Sequence, residues 1–176
     1  MKINVAALKN NPGYSLEQTF QEEYPDFDLG GEQVQFKQPV KVKVKLTSIG
    51  KVLLLKGSIE SLLAFKCSCC LKPITHDIQT IFEEECCHVE DLDELGLNQG
   101  DEGLEDRYLI YEGDVIDLQP IVMENIIWSL PMKPVCQVDC RGLCPQCGRD
   151  LNLEPCQCQE IKIDPRLEVL RKLLTE

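Results

Sequence analysis

Six of the chain's eleven cysteines fall between positions 136 and 158, and this crowding constrains the fold more than any other feature. Cys144-Pro-Gln-Cys147-Gly148 has the form of a metal knuckle. Two thiolates three residues apart can point at one ion, and Gly148 lets the backbone turn beneath them without a Cβ clash. Eight residues further on, Cys156-Gln-Cys158 offers more thiolates. A paired Cys-x-x-Cys followed at short range by further cysteines is a zinc pattern. Tetrahedral zinc has four places, so four of these six bind: Cys144 and Cys147 rank first, then Cys158 and Cys156, then Cys140 and Cys136. The expectation is one tightly held Zn2+ from this segment. Two disulfides are the competing reading. It ranks low because nothing at the start of the chain suggests export, and cytosolic thiols stay reduced.

At 176 residues the chain can bury a real core. The opening apolar run over residues 1–8 is too short for a signal peptide. No stretch of about 18 apolar residues exists, so no membrane span and no membrane partner are expected. Together with the thiols, this points to the cytoplasm. The net charge of −12 is unevenly spread. Residues 37–72 carry eight lysines against one acid, Glu60, whereas residues 83–106 carry eleven acids and no lysine or arginine. A chain this acidic is not a general nucleic-acid binder through bulk charge, although a local basic face can still touch phosphate.

Periodicity predicts an α+β fold: an antiparallel curved sheet or partial barrel with a packed helix, a C-terminal zinc-knuckle segment and a short terminal helix. Val40, Val42, Val44 and Leu46 alternate with Lys41, Lys43 and Lys45, which gives a strand with one buried and one wet face. Residues 51–63 and 75–85 read as the next two strands of an antiparallel meander, with a tight corner over 67–71. Residues 1–8 read as a first strand. Residues 14–28 carry no clear pattern. Residues 91–107 read as a mobile loop, and residues 108–111 as a short strand. Asp117 caps a helix whose Leu118, Ile121, Val122 and Ile126 face the sheet, with Pro120 in its tolerant first turn. Asp164-Pro165 opens the terminal helix, striped by Leu167, Leu170, Leu173 and Leu174. The chain divides into a mainly β body over 1–133, with the acidic loop near 86–107, and a cysteine-rich segment plus terminal helix over 134–176.

A second cluster, Cys67-Ser-Cys69-Cys70-Leu71, is open to three readings. It can supply Cys67 and Cys70 to a second metal, form a redox pair, or hold buried thiols at a strand corner. Cys67, Cys70 and the six later cysteines make eight, which equals two four-thiolate sites. Cys86, Cys87 and His88 read mainly as strand-end residues. No GxxxxGK, GxGxxG, HExxH or GxSxG motif is present, and sulfur-only metal sites are closed and structural, so no enzyme activity or small-molecule substrate is expected.

The run Cys136-x-x-x-Cys140-Arg-Gly-Leu-Cys144-Pro-Gln-Cys147-Gly-Arg-Asp-Leu-Asn, then Cys156-Gln-Cys158 and Asp164-Pro165-Arg166, resembles the YceD family, the large ribosomal RNA subunit accumulation proteins. Cys67-x-x-Cys70-Leu71 after a lysine-bearing sheet is similar to that family's first motif, except that Cys69 stands where its arginine usually does. The similarity runs from about residue 35 to the C-terminus. It implies a role in 23S ribosomal RNA accumulation or processing and in large-subunit assembly. The partner would be RNA, through Lys41, Lys43, Lys45, Lys51 and Lys56, or a basic large-subunit ribosomal protein, through the acidic loop. The alternative is a thiol-based redox sensor or zinc-donor protein.

Overall fold

The computed structural model describes residues 1–9, 11–97 and 103–158, with the backbone alone at 105 and 106. The expected terminal helix and the middle of the acidic stretch lie outside the described residues.

The structure is built on one long antiparallel unit. β5 (Val40–Ser48), β6 (Val52–Lys66) and β7 (Pro73–His88) follow one another through short turns. β6 is the spine. β7 pairs with it along its whole length, from Val52↔Cys87 to Lys66↔Pro73. Its other edge is shared by β5 and by β4 (Glu32–Phe36), the latter through Gln35↔Ala64 and Phe36↔Leu63. β2 (Ser15–Glu22) extends the sheet beyond β5, and β3 (Phe27–Leu29) extends it beyond β4 through the turn at Gly30-Gly31. The result is an open, curved, seven-stranded sheet.

The alternation in β5 works as its sequence implies: Val40, Val42, Val44 and Leu46 are buried while Lys41, Lys43 and Lys45 face solvent. Leu53, Leu55, Ile59 and Leu63 of β6 and Ile78 and Phe82 of β7 continue the buried face. Gly57 interrupts that row. It pairs with Phe82, and a Cβ at Gly57 would lie 2.3 Å from the Phe82 ring, so the ring fills the place of the missing side chain. The core is closed by α3 (Gln119–Ser129), which packs on β7 through Ile121, Val122 and Ile126, and by the N-terminal residues Ile3, Val5 and Leu8. Asp117 starts this helix by accepting the Gln119 N–H, although its own backbone belongs to a strand and Leu118 holds the cap position. No helix among the described residues is long and apolar enough to cross a membrane.

Two expectations are corrected, and two strand pairings are added to them. Residues 1–8 are not one strand: β1 (Lys2–Asn4) gives way to the single turn α1 (Ala6–Lys9), because Asn4 Oδ1 accepts the Ala6 N–H and bends the chain. β1 pairs with β9 (Val115–Asp117), a strand that the short polar segment before the helix conceals. The meander of β5, β6 and β7 is antiparallel throughout, as its sequence implies. β8 (Leu109–Tyr111) runs parallel to β7, which needs a crossover of a dozen or more residues, and the acidic segment supplies it. That segment is not only a mobile loop. It forms 3₁₀ turns over Val89–Asp91 and Asp93–Leu95 and the short helix α2 (Leu104–Arg107). Leu92 and Leu104 are buried with Cys87 and Tyr108, and Lys51 reaches over to Asp91 (2.7 Å) and Glu94 (3.1 Å).

Candidate metal centres

The turn between β6 and β7 and the segment after α3 contain the same local device twice. In the turn, Cys67 N–H donates to Lys72 C=O at 2.8 Å and Leu71 N–H donates to Cys67 C=O at 2.9 Å. In the later segment, Cys144 N–H donates to Arg149 C=O at 2.8 Å and Gly148 N–H donates to Cys144 C=O at 2.9 Å. The offsets are identical, so Cys67-x-x-Cys70 and Cys144-x-x-Cys147 are two copies of one knuckle. The residue after the second cysteine turns left-handed in both, with φ of +60° at Leu71 and +70° at Gly148. Gly148 adopts this freely; Leu71, an exposed residue, does so against its Cβ.

Each knuckle aims backbone N–H groups at its first sulfur. Cys67 is lowered to about 6, first by the Cys70 N–H, against a rise from burial, with further help from the Cys69 and Cys136 N–H groups. Cys144 is lowered to about 6, first by the Cys147 N–H and then by that of Gln146. Hydrogen bonds to a thiolate favour the charged form, the form that binds metal. The sulfurs opposite respond in the other direction. Cys136 is pushed up to about 12 by the neighbouring Cys140 sulfur and then by desolvation, and Cys158 to about 12 by the Cys147 sulfur and then by desolvation. Clustered thiols resist collective ionisation until a cation balances them.

The knuckles close two four-sulfur sets, each with its sulfurs within 4.8 Å of one another. The clasp set is Cys67, Cys70, Cys136 and Cys140; the tail set is Cys144, Cys147, Cys156 and Cys158. In the clasp set Cys67 Sγ lies 3.8 Å from Cys140 Sγ, and Cys70 Sγ lies 3.6 Å from Cys136 Sγ. These are opposite edges of a tetrahedron. Zinc–sulfur bonds of 2.3 Å put tetrahedral sulfurs ~3.8 Å apart, so the donor set fits such an ion. Both sets could hold a metal ion, and none of the eleven cysteines is in a disulfide.

The six later cysteines therefore do not share one set. Cys156 and Cys158 join Cys144 and Cys147, whereas Cys136 and Cys140 cross to the body and meet Cys67 and Cys70. Cys69 belongs to neither set. Its carbonyl accepts the Leu143 N–H at 3.1 Å, and it lies so close to Gly142 that a Cβ there would come within 2.9 Å of that oxygen. Cys86 and Cys87 are buried inside β7; desolvation pushes Cys86 up to about 12 and raises Cys87 as well. His88 is also buried, with Nδ1 accepting the Glu90 N–H.

Sequence reasoning overlooked Lys72, Asp150 and Asn152. Lys72 Nζ pairs with Asp150 Oδ2 at 2.7 Å, and Asn152 Nδ2 donates to Cys140 Sγ at 3.4 Å. The available signal is the basic residue five positions after the first cysteine of each knuckle, Lys72 and Arg149.

The five lysines considered for RNA contact lie on or beside the open face of the sheet. Lys41, Lys43 and Lys45 project from β5, Lys56 from β6, and Lys51 sits in the turn between them. Three are ion-paired: Lys45 with Glu17 at 2.9 Å, Lys56 with Glu83 at 2.9 Å, and Lys51 with Asp91 and Glu94. Lys41 stands opposite Glu60 in the register. Lys45 and Lys56 lie opposite each other with Glu17 and Glu83 on their outer sides, so the face is not a uniform basic patch.

Comparison with known proteins gives relatives along most of the chain. The family described as "Large ribosomal RNA subunit accumulation protein YceD" matches residues 55–174. An uncharacterized protein of Mycobacterium tuberculosis is 27% identical over 178 residues, covering 99% of this chain and 81% of its own. The uncharacterized protein YlbN of Bacillus subtilis is 26% identical over 179 residues, covering 100% of this chain and 98% of its own. The chloroplastic large ribosomal RNA subunit accumulation protein YCED homolog 1 of Arabidopsis thaliana is 24% identical over 140 residues, covering 68% of this chain and 44% of its own. No solved structure matches significantly.

Proposed function

From the premise that the chain belongs to the YceD family, we propose that it is a non-enzymatic factor for 23S ribosomal RNA accumulation and large-subunit assembly. It acts by binding. The observation that carries this reading is the family match across both knuckles, together with the role for which the plant relative is named. The cysteine sets serve structure: each holds one Zn2+, closed by four thiolates with no open place for a substrate.

The charge distribution favours a basic ribosomal protein over bare RNA as the direct partner. Lys45, Lys51 and Lys56 already have carboxylate partners, and phosphate would have to compete with them. Residues 83–106 carry eleven acids and no lysine or arginine, and Leu92 and Leu104 anchor the described part of the segment after β7 to the body. Phosphate contacts weaken steeply with salt, so the salt dependence of complex formation distinguishes the two partners.

The testing measurement is the ratio of mature 23S to 16S ribosomal RNA in cells that lack the protein. A selective fall in 23S, restored by the intact chain, is expected. An unchanged ratio with normal large subunits on a gradient would overturn the assembly role and promote the thiol-based reading, a redox sensor or zinc donor. For that second reading the relevant observation is the exposure of Cys147 and Cys158 in the tail set.

A further inference from the structure

The two cysteine sets are joined by more than the chain that runs between them. Asn152 lies between Cys147 and Cys156, inside the loop that the tail set closes, yet its side chain serves the clasp set. Its Nδ2 donates to Cys140 Sγ at 3.4 Å, and its Oδ1 accepts the Arg141 N–H at 2.8 Å, next to that same ligand. The amide is held in turn by Asp150, whose Oδ1 accepts from Asn152 N at 2.9 Å and from Nδ2 at 2.8 Å. The other Asp150 oxygen is in the ion pair with Lys72, two residues beyond Cys70 of the clasp set. The Asp150 side chain is only 12% exposed, while that of Lys72 reaches in from a half-exposed position. Leu151 N–H donates to Gly142 C=O at 2.9 Å and keeps the two segments in register.

Resting on the metal-binding reading above, we propose that Asn152 is a positioning residue through which the two sets load metal cooperatively. A metal in the tail set fixes both ends of the loop over residues 148–155. That holds the Asn152 N–H against the Cys140 sulfur, where it stabilises the charged ligand. When the tail set is empty, the loop is tethered at one end only and the N–H···S contact weakens. Hydrogen-bond partners of metal ligands typically change metal affinity by ~10- to 100-fold, which is the coupling expected here. The Lys72–Asp150 pair secures the other end of the relay on the body.

The test titrates the reduced, full-length chain with Co2+, whose thiolate charge-transfer bands report the ligands, under chelator competition. Cys144→Ser with Cys147→Ser isolates the clasp set; Cys67→Ser with Cys70→Ser isolates the tail set. The intact chain is expected to bind two equivalents cooperatively. Asn152→Ala is expected to weaken the clasp set by ~10- to 100-fold, to shift its charge-transfer band, and to leave the tail set unchanged once Cys67→Ser and Cys70→Ser have removed the clasp set. Emptying the tail set should loosen the clasp set when Asn152 is present and add little once it is alanine. Asn152→Ala keeps all eight thiols, so its result stands even where a cysteine pair variant fails to fold. Two equivalents that bind independently, with an unmoved clasp band in Asn152→Ala, would overturn the coupling and leave the metal reading intact. No uptake by the intact chain would overturn both.

Discussion

The clasp set and the tail set use the same knuckle and differ in what they connect. The tail set gathers its ligands from residues 144–158, with Cys144 and Cys158 14 positions apart. The clasp set joins sulfurs separated by 66 and 73 positions, two on the turn between β6 and β7 and two beyond α3. The first needs only local chain geometry. The second requires the sheet, the helix and the segment after it to be assembled already. One knuckle can thus act as a local fold or as a strap between distant parts, depending on where its other two sulfurs come from.

Breaking the strap should have the largest effect. Cys67→Ser is expected to destabilise the metal-loaded chain more than Cys147→Ser and to expose residues 131–135 to proteolysis. Loop-closure entropy alone gives a difference of about 1.5 kcal/mol, from the logarithmic dependence on loops of 73 against 14 residues. Urea unfolding with limited proteolysis reads this, and equal losses from the two variants would erase the distinction.

Alkaline pH should act on the clasp set next. Cys86, Tyr24 and Tyr111 are buried in the body, and burial pushes each up to about 12. Unfolded, the thiol ionises near 9 and the phenols near 10, so between those values and 12 the unfolded chain binds fewer protons than the folded one. These three groups therefore leave stability unchanged below pH 9 and lower it as pH rises from 9 towards 12. The body should melt progressively lower across that range and release the clasp set. Thermal melts from pH 8 to 11 measure it, and a flat profile would contradict the burial of these groups.

Gly57→Ala perturbs the body without touching a thiol. The new Cβ collides with the Phe82 ring, and overpacking of this kind costs about 1–3 kcal/mol. The urea midpoint should fall with the slope unchanged, and the tail set should keep its metal affinity.

The smallest effect compares the knuckles directly. Leu71→Gly should stabilise by about 0.5–1 kcal/mol, as relief of left-handed strain exceeds the added freedom of the unfolded chain. Gly148→Leu should cost a similar amount. Equal and opposite shifts in melting temperature would establish that the two turns are energetically equivalent.

Much of the fold is legible before any coordinates. The alternation over Val40–Ser48 is long and strict, and a one-residue slip would expose four core residues, so both strand and register follow from it. The edge strand β2 is not legible, because only Leu16 and Phe20 turn towards the core and the rest of the segment reads as polar chain. The acidic crossover hides its order for a related reason: Leu92 and Leu104 anchor it singly, without periodicity.

Local spacing alone determined that Cys144 and Cys147 form one chelating pair, because the knuckle is set by backbone bonds within five residues. It also marked Cys67 and Cys70 as a candidate pair. Which sulfurs complete each pair was decided by the tertiary structure. Cys136 is two residues beyond Pro134, whose carbonyl accepts the Ser68 N–H at 2.8 Å, and that contact exists only after β6, β7 and α3 have packed. Chemically identical thiols carry no label for their partners; the fold distinguishes them by bringing Cys136 and Cys140 back to the sheet and leaving Cys156 and Cys158 with the nearer knuckle.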